Sequence, residues 1–328
     1  MKKTWLVLTF SVLNTIVSSC VTAGELLTTQ VNVKLVDSPS PSKWGVPLET
    51  GQIVVTESPI PINTLYLLLY PQYSPFIHVG IVDVSGGDVG VYEASGTYKL
   101  GMGSAPPTDN ISGHVRRISL DDYLQENGGT ATFYQPPAGV DMSKVLAYAQ
   151  HHVDSKTPFD PYFNYRDRSS LYCSEFVAAA FEAGGVPAYS TVPMKPNRST
   201  QVVMAWLKVN DRDILPVDRL TSTARWLGTI SQTYTLTELK VDRTVKAELY
   251  QRFTDNQKLG NILAWEGMNV AFQPPVAQFK EQAFAAFDKD EFYTAEQVLH
   301  KVGELADESL GDFDAGNISE CKIDFSHC

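Results

Sequence analysis

The segment Tyr172–Val177 carries the residue with the clearest reactive chemistry, Cys173, at the start of a predicted helix. Apolar residues after it recur at three- and four-residue spacing, and Gly184, Gly185 and Pro187 end the helix. A cysteine at a helix N-terminus lies among unpaired N–H groups and at the positive end of the dipole, which favours the thiolate. The segment therefore predicts a nucleophile, although a cysteine taken alone is more often a small buried hydrophobe.

A hairpin predicted far upstream carries a candidate base. The segment Phe76–Val84 is rich in β-branched residues, and a turn at Ser85–Asp88 leads into a returning strand, Val89–Ala94. His78 lies near the start of the first strand, and Glu93 lies near the end of the second. Taken singly, the histidine would more often be a satisfied core residue and the glutamate a strand-end charge.

The register of this hairpin decides whether the two side chains can meet. We expect Val84 to pair with Val89. Gly80 then lies opposite Glu93, and period-two alternation puts His78 on the same face. As diagonal neighbours the two backbones are about 7–8 Å apart, within reach of a long side chain. Because Gly80 has no side chain, we expect it to leave room for the helix that bears the thiol.

Four short motifs, in this chain order, resemble the permuted NlpC-type papain-like amidases of the YaeF/YiiX group: Gly51-Gln52-Ile53-Val54, His78-Val79-Gly80-Ile81, Glu93 and Tyr172-Cys173-Ser174-Glu175. In ordinary papain-like enzymes the cysteine helix precedes the histidine strand, whereas the permuted group has the histidine strand first, as here. The resemblance covers residues 51–187. Gln52 stands where the group commonly has an aspartate.

The resemblance implies an α+β fold of the circularly permuted papain-like type, with a small antiparallel sheet packed on helices. It also implies that Cys173 is the nucleophile, His78 the general base and Glu93 the group that orients the imidazole. In such a site the thiolate attacks a carbonyl, the imidazolium protonates the leaving group, and water releases the acyl group. The Cys173 backbone N–H is the natural donor to the oxyanion.

Three functions fit this pattern. Our prediction is a cysteine amidase or peptidase of the bacterial cell envelope that cleaves an amide in a peptide or cell-wall fragment. The same thiol could instead serve a lipid acyltransferase or esterase, with the apolar segment Leu65–Tyr70 holding an acyl chain. The third function is an inactive binding module. No cofactor or metal is predicted, because His151-His152 lack a third ligand at metal spacing.

The N-terminus has the layout of an export signal, with two lysines ahead of an apolar run. Val17-Ser18-Ser19-Cys20 resembles the lipobox of bacterial lipoproteins. This resemblance implies that residues 1–20 are a signal peptide and that Cys20 anchors the protein in a membrane through lipid. Val21 after it favours the outer membrane, with the protein facing the periplasm. Cleavage after Ala23 is the alternative and would give a soluble exported protein.

Cysteine usage and charge agree with export. Cys321 and Cys328 can close a small disulfide loop in an oxidising compartment, which leaves Cys173 unpaired. The net charge of −11 repels phosphate backbones, so we expect no nucleic-acid partner. The oligomeric state is not indicated by the sequence.

We divide the chain into five parts: a signal peptide (1–20), a tether (21–45), a permuted papain-like catalytic domain (46–215), a helical region (216–306) and an acidic tail (307–328). In the helical region, apolar spacing predicts helices over Leu239–Phe253 and Val276–Phe287, and a third helix with a capping box formed by Thr294 and Gln297.

Overall fold

The computed structural model describes residues 42–43, 45–59, 61–98, 111–165, 167–194, 204, 209, 213–255, 262–266 and 269–311. The predicted signal peptide, Cys20, most of the tether, Cys321 and Cys328 lie outside these residues. Within the described part of the chain, no helix is long and apolar enough to cross a bilayer.

The protein has a mixed α+β fold. Its strands are β1 (Ser42–Lys43), β2 (Val46–Pro47), β3 (Ile53–Glu57), β4 (His78–Ser85), β5 (Asp88–Tyr98), β6 (Ile111–Ser119), β7 (Thr130–Tyr134), β8 (Val192–Pro193), β9 (Asp213–Ile214), β10 (Trp226–Ser231), β11 (Leu263–Glu266) and β12 (Asn269–Phe272). Its helices are α1 (Pro61–Leu67), α2 (Leu120–Glu126), α3 (Met142–Asp154), α4 (Cys173–Ala183), α5 (Val217–Thr221), α6 (Leu236–Asp255), α7 (Pro274–Ala285) and α8 (Ala295–Leu310).

Six of the strands form one antiparallel sheet in the order β10-β7-β3-β4-β5-β6. The hairpin of β4 and β5 has the predicted register, with Val84 opposite Val89. Its turn residues Gly86 and Gly87 have φ values of +61° and +85°. Glycine adopts these angles without a steric penalty, so the two-residue turn fixes the register of the strands that follow.

The two faces of this sheet carry separate apolar layers. On one face, Val79 and Ile81 pack with helix α4, which contributes Phe176. On the other face, Val82 packs with helix α2, which contributes Tyr123. Side chains alternate between these faces along each strand, so His78 and Gly80 share the face of Val82.

The sheet extends beyond the predicted catalytic domain. Strand β10, which lies after position 216, pairs with β7 along Trp226–Ser231. The predicted helical region therefore also contributes a strand to the sheet. A strand of six residues spans too few periods to stand out beside the long helical pattern that follows it.

The long helices after β10 form a further apolar layer, built from residues such as Val245 of α6, Phe279 of α7 and Val302 of α8. Helix α8 begins with the predicted capping box of Thr294 and Gln297. It continues to Leu310, so the first residues of the predicted acidic tail are helical.

An ion pair buried on both sides joins this layer to the sheet. Nε of Arg243 on α6 lies 2.9 Å from Oε2 of Glu57 on β3, and Nη2 lies 2.5 Å from Oε1. The side chains are only 2% and 3% exposed. Two contacts from one guanidinium to one carboxylate fix the relative orientation of the two side chains. The ion pair therefore links α6 of the helical layer to β3 of the sheet.

Four residues of the segment that could hold an acyl chain are part of the core. Leu67, Leu69 and Tyr70 pack in the layer on the α4 side of the sheet, whereas Leu68 packs with the helical layer. All four residues are buried. Because these side chains already contact protein, they offer no free surface to a lipid.

Candidate active site

Helix α4 begins at Cys173, as predicted, with Tyr172 as its N-cap and Gly184 as its C-cap. Cys173 is a free cysteine and is partly exposed. The N–H groups of the first turn have no partner within the helix. The backbone around the sulfur therefore presents donors and the positive end of the dipole, as an attacking thiolate requires.

The structure brings together His78, Glu93 and Cys173. Nε2 of His78 lies 2.5 Å from Oε2 of Glu93. A hydrogen bond and a charge interaction of the Cys173 thiol with the same imidazole contribute to the raised pKa of His78. Since Glu93 occupies Nε2, the nitrogen left for the thiol is Nδ1. The ring thus stands between a carboxylate and a sulfur.

The charges of this site favour an imidazolium. Burial lowers the pKa of His78, but the hydrogen bond and charge of Cys173, and then those of Glu93, outweigh it and raise the pKa to about 10. Burial likewise raises the pKa of Glu93, but His78 and Arg116 together bring it below its ordinary value. The carboxylate is therefore ionised and the ring protonated at neutral pH.

The space beside Gly80 is used differently from our prediction. A Cβ built at Gly80 would lie 2.4 Å from Cγ1 of Val91, 2.9 Å from the carbonyl oxygen of Tyr92 and 3.4 Å from Cε2 of Tyr123. The glycine therefore makes room for its neighbouring strand and for helix α2, not for the helix that bears the thiol. Alternation places residues on a face but does not tell which helix covers that face.

Tyr123 is a buried neighbour of the site that sequence reasoning missed. Its ring centroid lies 5.7 Å from that of His78, with the planes inclined by 32°. Its hydroxyl donates to the carbonyl oxygen of Val54 at 3.2 Å. The phenol is thereby fixed to β3, and its ring limits how far the imidazole can turn.

Arg116 is the second residue that was missed. It lies directly opposite Glu93 in the register of β5 and β6. Its Nε donates to Oε1 of Glu93 at 2.8 Å. No short turn connects β5 to β6, so the pairing could not be read from the sequence.

The two side chains next to Cys173 hold a distant peptide. The N–H of Leu215 donates to Oη of Tyr172 at 3.1 Å, and Oγ of Ser174 donates to the carbonyl oxygen of Leu215 at 2.6 Å. All three residues are buried. The first turn of α4 is therefore anchored on both sides of the cysteine.

Two residues in the motifs lie away from the reacting groups. Gln52 lies just before β3, whereas Thr56, the residue that pairs with His78, lies near the other end of that strand. The side-chain amide of Gln52 donates to the carbonyl oxygen of Pro47 at 2.9 Å. Glu175 is buried, and burial raises its pKa to about 8, against the opposing charge of Arg168. Among the residues that the structure describes, neither of these side chains forms a hydrogen bond or ion pair with His78 or Glu93.

The neighbouring histidines of α3 take part in local contacts. Nδ1 of His152 lies 2.7 Å from Oγ1 of Thr157, and the ring of His151 lies against that of His152. In the described ranges, no group of three or more His, Cys, Asp or Glu side chains could hold a metal ion.

Comparisons with known proteins give a distant structural neighbour. No family model matches the sequence, and no curated protein matches it. Among solved structures, the crystal structure of the metalloprotein YiiX from Escherichia coli O157:H7 (DUF1105) is similar at 18% identity and a TM-score of 0.41. The similarity covers 56% of this chain and 96% of that one. Membership of the permuted papain-like group stays a prediction.

Proposed function

We propose that this protein is a cysteine hydrolase of the amidase or peptidase type. The observation that supports this most is the arrangement of one imidazole between Glu93 and the Cys173 thiol, with its pKa raised to about 10. A protonated ring beside a sulfur favours the thiolate, and the carboxylate on its far nitrogen favours the charged ring.

In the proposed reaction, the Cys173 thiolate attacks the carbonyl carbon of an amide. The backbone N–H of Cys173 donates to the oxyanion, and the imidazolium of His78 gives its proton to the departing amine. A water molecule, deprotonated by the now neutral ring, then attacks the thioester and releases the acid. Glu93 holds the ring in position during both steps.

We propose an amide in a peptide or cell-wall fragment of the cell envelope as substrate. Four of the six residues of the segment that favoured a lipid, Leu67–Tyr70, are buried in the core, which supports an amide substrate instead. We further propose that Cys20 anchors the protein in the outer membrane; mass spectrometry of the mature N-terminus tests this, and an unmodified terminus beginning after Ala23 would contradict it.

Two measurements test the proposed activity. We expect alkylation of Cys173 by iodoacetamide to be fast at pH 6 and to be slowed by His78→Ala, because the thiolate depends on the ring. Incubation with cell-wall fragments and, separately, with phospholipid vesicles should release new amines and carboxylates only from the former. A Cys173 that reacts like an ordinary thiol, or fatty acid release from the vesicles, would contradict the proposal.

A further inference from the structure

Arg116 reaches the buried end of the site from the solvent. Its side chain is 29% exposed, whereas that of Glu93 is fully buried. Nε of Arg116 lies 2.8 Å from Oε1 of Glu93, and Nη2 lies 2.6 Å from the same oxygen. On its outer side, Nη2 also lies 2.5 Å from Oε2 of Glu126, a half-exposed residue of α2.

The two oxygens of Glu93 therefore have different partners. Nε of Arg116 donates to Oε1, with Nη2 in ion-pair contact with the same oxygen, and His78 contacts Oε2 through Nε2. A carboxylate can rotate about its last bond unless both oxygens are held. Because the guanidinium is planar and holds Oε1 from a fixed direction, Oε2 is turned toward the imidazole.

A buried carboxylate also needs charge compensation to stay ionised. Taking the charge of Glu93 out of water is costly, and a single imidazolium offsets that cost only while the ring is protonated. Arginine stays charged at all relevant pH values, so Arg116 compensates the carboxylate in both states of the ring during a reaction.

We infer that Arg116 is a positioning residue, which keeps Glu93 ionised and directs its Oε2 onto His78. This inference concerns the charge state of Glu93. It rests on the proposed function only in its expected effect on the reactivity of the Cys173 thiol. The other ionisable groups near this carboxyl are the phenol of Tyr123 on α2, Glu126 at the end of the same helix and the thiol of Cys173 on α4.

The neighbouring Arg117 provides a matched control. It lies on the same strand, its side chain is 25% exposed, and its Nε lies 2.8 Å from Oδ2 of Asp83. It thus has similar exposure and a similar ion pair. Loss of Arg117 tests for a general effect of removing an arginine from β6.

The decisive measurement is the titration of the Glu93 carboxyl by carbon NMR on protein labelled at glutamate Cδ, with the signal assigned by its absence in Glu93→Gln. We expect Arg116→Gln to move the midpoint of this titration upward by about one pH unit or more, and Arg117→Gln to leave it unchanged. We also expect Arg116→Gln to slow alkylation of Cys173 at pH 6 by about tenfold, since a carboxylate that Arg116 no longer directs supports the imidazolium less well.

An unchanged Glu93 midpoint in folded Arg116→Gln would overturn the inference, whatever the reactivity of the thiol. A slow wild-type thiol together with a shifted midpoint would overturn the proposed hydrolase and leave this inference standing.

If Arg116→Gln does not fold, Arg116→Lys is used for the same measurement. Because an ammonium is a point charge without the planar fork, we expect a smaller upward shift, of about half a unit. A midpoint equal to the wild type would overturn the inference.

Discussion

Nε2 of His78 and Oε2 of Glu93 lie 2.5 Å apart, and Glu93 is fully buried while His78 keeps a small exposed fraction. A carboxylate placed this way on one ring nitrogen fixes which nitrogen faces the sulfur. We expect Glu93→Gln to reduce the rate of the proposed hydrolysis by about 10²-fold or more, because the amide can hold the ring in the wrong tautomer. The substrate assay described above measures this.

The control for that variant is Asp88→Asn, which removes an exposed carboxylate at the far end of the same hairpin. It should retain wild-type turnover. A folded Glu93→Gln protein with undiminished turnover would contradict an orienting role for the carboxylate.

The raised pKa of His78 can be observed directly. We expect its ring to titrate with a midpoint near 10, not near 6.5, when followed by proton NMR of its C–H signals. The corresponding stabilisation is fully present below about pH 6.5, the pKa in the unfolded chain, and is lost as the pH rises through 10. In Cys173→Ala the midpoint should fall, since the sulfur no longer supports the imidazolium. An unchanged midpoint in this variant would show that the sulfur and the ring do not interact.

Glu175 should make stability fall with rising pH. Its pKa is raised to about 8 in the folded protein, so between about pH 4.3 and 8 the unfolded chain releases a proton that the folded chain keeps. We expect Glu175→Gln to raise the free energy of unfolding at pH 8 by on the order of 1–3 kcal/mol and to have little effect at pH 4. Urea unfolding at both pH values measures this difference.

Glu182, on the same helix, serves as the control for Glu175. It also contacts Arg168, at 3.5 Å, but is partly exposed. We expect Glu182→Gln to change stability by less than about 1 kcal/mol, as is usual for exposed ion pairs. A gain at pH 8 as large as that of Glu175→Gln would show that the burial of Glu175 is not the cause.

Two glycines should respond to alanine in opposite ways. At Gly80 the new methyl group would press on Val91 and on the Tyr92 carbonyl oxygen, and we expect a loss of about 1–3 kcal/mol. At Gly303, within α8, the methyl would meet only Oε1 of Glu248 at 3.6 Å, and we expect a gain of about 0.5–1 kcal/mol. Thermal unfolding of both variants distinguishes these outcomes; equal effects would contradict the close packing at Gly80.

The buried pair of Glu57 and Arg243 should show strong coupling. We expect Glu57→Gln to cost about 3–5 kcal/mol, because it leaves a buried guanidinium without its carboxylate. The double variant Glu57→Met with Arg243→Met should cost less than the sum of the two single methionine variants, since it leaves no charge uncompensated. Additive losses in denaturant unfolding would contradict the coupling.

Local patterns predicted the elements of the site, and their boundaries agree well with the structure. The glycine pair at 86–87 set the register that brings Glu93 to His78, and the spacing after Cys173 predicted α4. Both depend on interactions between residues close in sequence, where turn geometry and helical periodicity decide the outcome.

The parts that were missed depend on contacts between distant residues. The pairing of Glu93 with Arg116 depends on a register that no short turn sets, and the cover over Gly80 depends on which helix packs on each face. Strand β10 joins the sheet at β7, far from it in sequence. Hydrophobic periodicity identifies an element but does not name its neighbour.

The anchoring of Tyr172 and Ser174 to Leu215 has a consequence for the order of events during synthesis of the chain. The nucleophile and its base are both made before Leu215, yet the turn that presents the sulfur is held by that later peptide. A partly emerged chain that ends before this point has both reacting groups and lacks their support. The first turn of α4 would thus be held in place only after the chain has passed this point.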